Sequence, residues 1–211
     1  MCFNALLFFV KFPEPGRVKT RLAQAVGDEA AASLYRSLVE TNLKELDSFG
    51  RKETDLIITF DPPERETEIR AWLPSYPHYL AQQGNGLGER LSHAFHEAFK
   101  RGYERAMAFG SDTIGCESGI ISQGFTLLED YDAVIGPAGD GGYYLLGRSG
   151  EHPFLFQDIP WSSSLVLKTT LDRIKKRNLH YRLLPQREDL DDIKNLTQFP
   201  IPEFLKISEG G

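Results

Sequence analysis

Short, continuously apolar runs alternate along the chain with longer stretches in which apolar residues recur every three or four positions. Ala5–Phe12 is apolar almost throughout, which predicts a strand buried on both faces. Asp28–Phe49 sets Leu34, Leu38, Leu43 and Leu46 on one broad face and meets Gly50 as a stop, the pattern of an amphipathic helix. Thr54–Phe60 predicts a second strand, closed by Asp61-Pro62-Pro63. Glu64–Leu73 predicts a short helix ending before Pro74, and His78–Gln82 a short strand. Leu87–Tyr103 predicts a helix with Leu91, Ala94, Phe95, Ala98 and Phe99 on one side. Further strands are expected over Arg105–Phe109, Asp132–Gly136, Tyr143–Gly147 and His180–Leu184. Helices are expected over Ser118–Leu128, Ser162–Lys176 and Asp192–Gln198, and the tail from Pro200 to Gly211 is expected to fray.

Strands separated by helices require crossover connections, hence an α/β domain with a mostly parallel sheet and helices on both faces. Ligands of such sheets sit beyond the carboxyl ends of the strands, so chemistry is sought in the residues that follow each strand. A chain of 211 residues is expected to be one domain. Its formal charge of −6 argues against general nucleic-acid or anionic-membrane binding. Two cysteines, Cys2 and Cys116, fit a reducing compartment. The N-terminal apolar run ends at Lys11, too short to cross a bilayer. A soluble, cytoplasmic protein is the expectation. The five histidines show no metal-ligand spacing, and no G-x-S-x-G elbow is present.

The first chemical segment is Lys11-Phe12-Pro13-Glu14-Pro15-Gly16-Arg17-Val18-Lys19-Thr20-Arg21. Four basic residues and one acid fall within eleven positions, a local charge of +3. Gly16 lets backbone approach a ligand, Lys11, Arg17, Lys19 and Arg21 supply cations, and a helix start near Lys19 adds its positive end. Phosphate binding is the natural reading, and a solvated basic loop is the bland one. The Walker A spacing is absent. The second segment, Gln82-Gln83-Gly84-Asn85-Gly86-Leu87-Gly88-Glu89-Arg90, approaches a dinucleotide fingerprint, but Glu89 stands where its third glycine belongs. It reads better as a loop that brings backbone to a base or phosphate, or as a plain lead-in to a helix.

Gly110-Ser111-Asp112 follows the third buried strand. Asp112 is the best single candidate for a Mg2+ or Mn2+ ligand, because those ions favour hard oxygens shared with substrate phosphates. Capping the next helix is the alternative. In Pro137-Ala138-Gly139-Asp140-Gly141-Gly142-Tyr143-Tyr144, Asp140 is a candidate for orienting an acceptor, with Gly141, Gly142 and Tyr143 as close-approach residues. A simple hairpin turn explains the same residues. Trp161 either lines a pocket or packs, and the helix after it is expected to be capped by Ser162 or Ser163. The run Glu188-Asp189-Leu190-Asp191-Asp192 reads first as a solvated helix start.

Taken together, Lys-x-Pro-x-Pro-Gly-x-x-Lys-Thr-Arg-Leu, Gln-x-Gly-x-x-Leu-Gly-Glu-Arg, Gly-Ser-Asp, Pro-Ala-x-Asp-Gly-Gly-Tyr-Tyr-Leu-Leu-Gly, Ile-Pro-Trp-Ser and Asp-Leu-Asp resemble one family. It is the bacterial "transferase 1" group of candidate glycosyltransferases in the nucleotide-diphospho-sugar transferase superfamily, and the likeness spans residues 3 to 198. It implies a GT-A-like fold, a three-layer αβα sandwich with a small antiparallel excursion. It implies a nucleotide-phosphate loop over residues 12 to 21 and a metal-holding aspartate at Asp112. It further implies a second metal carboxylate at Asp191 with Asp189 beside it, which reverses the reading of that run as merely solvated. Two departures stand out: Ile114 occupies a place often held by proline, and Asp192 replaces a threonine.

The expected activity is metal-dependent transfer of a glycosyl group from a sugar nucleotide to a small-molecule acceptor. Lys19 and Arg21 would stabilise phosphate charge, and Asp140 would serve the acceptor. Nucleotide contacts are expected from Lys11, Pro15, Gly16, Arg17, Lys19, Arg21, Gln83, Gly84, Gly88 and Ser111. Acceptor contacts are expected from Gly141, Gly142, Tyr143 and Trp161. Nucleotidyl transfer with release of pyrophosphate, and non-catalytic nucleotide sensing, are the alternatives.

Overall fold

The computed structural model describes residues 3–47, 53–115 and 117–191. In chain order the elements are β1 (Asn4–Lys11), α1 (Thr20–Val26), α2 (Asp28–Asp47), β2 (Thr54–Asp61), α3 (Glu66–Trp72) and β3 (His78–Ala81). There follow α4 (Leu87–Lys100), β4 (Arg105–Gly110), α5 (Ser118–Leu127), β5 (Ala133–Pro137), β6 (Tyr143–Arg148), α6 (Val166–Lys176) and β7 (Tyr181–Leu183). The seven strands form one sheet in the order β3-β2-β1-β4-β6-β5-β7. β6 pairs antiparallel with both neighbours, and every other pairing is parallel. The expected α/β architecture is therefore present, with β6 as its antiparallel excursion.

The continuous apolar run of β1 is explained by burial on both sides. Leu6, Phe8 and Val10 join one core layer with Val39 and Leu43 of α2, Ile69 of α3 and Ile121 of α5. Ala5 and Leu7 face the other layer, with Leu91 and Phe95 of α4 and Ile174 of α6. A third, smaller cluster joins Leu22 of α1 to Ala31, Leu34 and Leu38 of α2 and to Leu190.

Three boundaries differ from expectation for local reasons. α6 starts at Val166, not Ser162, because Ser162 has a left-handed backbone with φ 63°. The residue capping α6 is Leu165 rather than Ser162 or Ser163, although Ser163 Oγ accepts from the Leu165 amide at 3.3 Å. α4 ends at Lys100, shortly before Gly102 at φ 92°. The stretch expected as one helix from Glu64 divides into a 3-10 turn, Pro63–Arg65, and α3. The expected helix Asp192–Gln198, the tail from Pro200, and both cysteines lie outside the described residues. No helix among the described residues is long and apolar enough to cross a membrane.

Candidate functional site

β1 and β4 are adjacent and parallel, so their following loops, 12–19 and 111–115, emerge at one rim. The turn after β4 is held from beneath by α2. The Tyr35 hydroxyl lies 2.8 Å from Ser111 Oγ and accepts from the Lys11 amide at 2.9 Å. Asn42 Nδ2 donates to the carbonyls of Ser111 and Thr113, each at 3.0 Å. Tyr35, Asn42 and Ser111 are all buried, and burial pushes the Tyr35 hydroxyl up to about 12. A buried polar group must find such partners. Sequence reading misses both residues because they sit on the apolar face of an amphipathic helix. The available signal is an amide side chain at an inward-facing position beside Val39 and Leu43.

The late acidic segment is brought to this turn by main-chain pairing. Thr113 and Asp189 form an antiparallel bridge, the Ile114 amide donates to the Glu188 carbonyl at 2.9 Å, and the Leu190 amide donates to the Asp112 carbonyl at 2.9 Å. Proline at 114 could not make the second of these bonds, so the departure at Ile114 has a structural use. Leu190, 1% exposed, is sunk in the small third cluster and anchors its acidic neighbours. Helix α5 is capped by Glu117, so Asp112 is not its cap.

The two acids meet on one cation. Lys19 Nζ lies 2.8 Å from Asp112 Oδ2 and 3.1 Å from Asp191 Oδ1. The Lys19 side chain is 7% exposed, whereas those of Asp112 and Asp191 are 39% and 42% exposed. Lys19 caps α1 in a left-handed conformation, φ 49° and ψ 44°, which costs about 1–2 kcal/mol for a non-glycine residue. Burial opposes its charge, but the carboxylates of Asp112 and then Asp191 outweigh burial and raise its pKa above the ordinary lysine value. Burial likewise disfavours the Asp112 anion, yet the Lys19 ammonium holds that carboxyl below the usual range, with a smaller contribution from Lys11. Asp189 behaves oppositely. Burial, followed by the charge of Asp112, pushes it up to about 7, and its Oδ1 is buried without a hydrogen-bond partner.

Around this centre, Pro13 and Val18 are buried and pin the cationic loop, while Lys11, Pro15, Gly16, Arg17 and Arg21 are exposed. Gly16 takes φ 74°, a turn that favours glycine. The second expected loop is tied down by Gln82, whose Nε2 donates to the Thr59 carbonyl at 2.8 Å. Gln83 and Gly84 are exposed, and Arg90 bridges the Gly84 carbonyl and Asp61.

The expected acceptor residues form a second group. A side chain at Gly88 would come within 2.4 Å of Trp161 Nε1, so the indole packs on bare backbone of α4. Tyr143 meets Trp161 edge to face with ring centroids 6.3 Å apart. Asp140 Oδ1 accepts from the Gly142 amide at 2.8 Å, and Gly141 (φ 89°) packs against the backbone of Ser164. The segment is a hairpin turn between β5 and β6, as its composition allows.

The donor set suits a hard divalent cation. Among the described residues, no three His, Cys, Asp or Glu side chains form a ready-made metal cluster. Two converging carboxylates, with the unpartnered Asp189 oxygen nearby, instead match a Mg2+ or Mn2+ seat that substrate phosphates complete. Asp112, Asp191 and Asp189 are the residues that could hold such an ion.

A family model described as an uncharacterized protein conserved in bacteria (DUF2064) matches residues 46–163. No curated protein matches the chain. Among solved structures, a candidate nucleotide-diphospho-sugar transferase from Desulfovibrio desulfuricans G20 shares 38% identity at a TM-score of 0.87, over 99% of this chain and 92% of that one. The 4-diphosphocytidyl-2C-methyl-D-erythritol synthase of Anaerococcus prevotii shares 10% identity at a TM-score of 0.62, over 93% and 94% of the two chains. Glucosyl-3-phosphoglycerate synthase from Mycobacterium tuberculosis, solved with Mn2+ and UDP, shares 13% identity at a TM-score of 0.55, over 93% and 75%. The last two share the fold, which is that of nucleotide-diphospho-sugar transferases and nucleotidyltransferases.

Proposed function

The chain belongs to the DUF2064 family of proteins conserved in bacteria, and on that footing we propose that it transfers a glycosyl group from a sugar nucleotide to a small-molecule acceptor. The broad class, nucleotide-dependent transfer, follows the description of its 38%-identical relative. The finer choice of glycosyl transfer follows the motifs that resemble the "transferase 1" group. The observation that most supports the reading is the meeting of Asp112 and Asp191 at the ammonium of Lys19, beside a loop rich in cations.

In this reading Asp112 and Asp191, with Asp189 beside them, hold Mg2+ or Mn2+. The ion, when bound, supplies Lewis-acid neutralisation of the diphosphate. Lys19 and Arg21 stabilise the charge that develops on the departing phosphate. Lys11, Pro15, Gly16 and Arg17 shape the phosphate loop, and the exposed Gln83 and Gly84 contact the nucleotide. The expected contacts from Ser111 and Gly88 do not apply, because Ser111 is buried against Tyr35 and Asn42 and Gly88 is covered by Trp161. Tyr143 and Trp161, with Gly141 and Gly142, border the acceptor. A bond forms between the acceptor oxygen and the anomeric carbon as the bond from that carbon to the phosphate oxygen breaks. The nucleoside diphosphate leaves, and the acceptor proton passes to Asp140, whose Oδ1 is steadied by the Gly142 amide.

The local charge of +3 in residues 11–21 also suits a triphosphate, which keeps nucleotidyl transfer as the second reading. Thermal melting with Mn2+ and a nucleotide panel separates them. Stabilisation by UDP- or GDP-sugars supports glycosyl transfer. Stabilisation by a nucleoside triphosphate alone supports nucleotidyl transfer, and binding without turnover of any acceptor supports a sensor.

A further inference from the structure

We infer that Lys19 is a tethered counter-ion that occupies the divalent-cation seat between Asp112 and Asp191, so that the ion binds tightly only with a phosphate chain that draws Lys19 away. The inference rests on the proposed role of those two aspartates as metal ligands and adds a coupling device to it.

Three observations carry it. The ammonium is within hydrogen-bond distance of both carboxylates at once, 2.8 and 3.1 Å. The two oxygens it touches are therefore at most about 5.9 Å apart, the sum of those contacts, and face one point. The ammonium is covered while the carboxylates stay partly open, with side chains 7% against 39% and 42% exposed. Finally, Lys19 is held in a left-handed backbone conformation at the cap of α1 with its ammonium on both acids, while Arg17 in the loop and Arg21 in α1 are exposed.

A divalent cation cannot share that point with an ammonium, because like charges at contact distance repel strongly. Lys19 must swing aside, and its flexible four-carbon stem permits this. Swung out with no anion to receive it, it would lose two charge-assisted hydrogen bonds. A phosphate chain supplies the replacement partner. Metal and phosphate thus favour one another's binding, and linkage makes the coupling reciprocal. The site would stay closed to free divalent cations while remaining responsive to a nucleotide.

The test is a Mn2+ titration of metal-free protein without nucleotide, read by the electron paramagnetic resonance of free Mn2+. The parent is expected to bind weakly. Lys19→Met, which keeps the aliphatic stem, is expected to bind roughly tenfold tighter, and Lys19→Arg to stay as weak as the parent. Equal or weaker binding by Lys19→Met overturns the inference. Should Lys19→Met fail to fold, the unmodified chain decides. Its lysine 15Nζ resonance, identified by its absence in Lys19→Arg, is expected to shift when Mg2+ and inorganic pyrophosphate are added together. A resonance unchanged at saturation overturns the inference. Neither readout involves a sugar or turnover. Unchanged Mn2+ affinity in Lys19→Met, with sugar nucleotides still binding, defeats this inference alone. Absence of any sugar-nucleotide binding, with the Lys19 competition intact, defeats the glycosyl-transfer proposal alone.

Discussion

The amide of Leu190 donates to the carbonyl of Asp112 at 2.9 Å, and this bond sets Asp191 beside a carboxylate that is remote in the chain. Leu190 is 1% exposed and packs on Leu22, Leu34 and Leu38. The candidate site is thus assembled by a hydrophobic anchor and main-chain pairing, while the acids themselves are left to face one another across Lys19.

Removing one carboxylate of the pair tests its role. Asp112→Asn is expected to fold and to lose metal-dependent nucleotide binding by at least about tenfold, since one lost charged contact is worth about 1.5–3 kcal/mol. Calorimetric titration with Mn2+ present reads this. Unchanged affinity would make Asp112 only a structural partner of Lys19.

Asn42 gives a prediction for a residue that touches no ligand. Asn42→Ala leaves the Ser111 and Thr113 carbonyls without their donor and is expected to cost about 1–3 kcal/mol in urea unfolding. Nucleotide affinity should fall with it, because the turn bearing Asp112 loosens. Full stability with full affinity would show that α2 does not position that turn.

Much of the sheet is legible in the sequence because its strands are continuous apolar runs flanked on both faces, as Leu6 and Leu7 in opposite core layers illustrate. The site is legible only in part. Asp112 stands out as an acid after a buried strand. Asp191 does not, because an acidic run looks the same whether solvated or paired, and only the family resemblance singles it out. Lys19 is visible as a charge but not as a left-handed residue turned onto two carboxylates. Tyr35 and Asn42 are hidden by helical periodicity, since their partners are remote in the chain: the Ser111 hydroxyl and Lys11 amide for Tyr35, and the Ser111 and Thr113 carbonyls for Asn42. Ser162, at φ 63°, shows why the start of α6 escapes a reading based on capping residues.

Two glycines should respond unequally to alanine. Gly141 has φ 89°, and a side chain there would lie 2.4 Å from the Ser164 carbonyl oxygen. Gly141→Ala is expected to cost about 1–3 kcal/mol and to displace the loop bearing Asp140. Gly86 is extended, with open space around it, so Gly86→Ala should change stability by less than about 0.5 kcal/mol. Equal melting temperatures for the two variants would contradict the described loop.

Asp189 sets a pH dependence in chelator-treated protein. Its carboxyl is raised from 3.8 to about 7, by burial first and then by Asp112. Between those values the folded chain keeps a proton that the unfolded chain releases, so this group's stabilising contribution is complete below about pH 4 and is lost as pH rises through about 7. The lowered Asp112 carboxyl acts in the opposite sense, its contribution being lost only as pH falls below the ordinary carboxylate range. Asp189→Asn should remove the decline toward pH 7 and melt higher than the parent at pH 8. Parallel melting profiles for the two proteins would contradict the burial of this carboxyl.

The most direct test of the account is a crystal structure with Mn2+ and a sugar nucleotide bound. The ion is expected between the carboxylates of Asp112 and Asp191, with Lys19 moved onto the phosphates and the sugar directed toward Asp140. An ion or diphosphate bound away from these carboxylates, with Lys19 still seated between them, would contradict it.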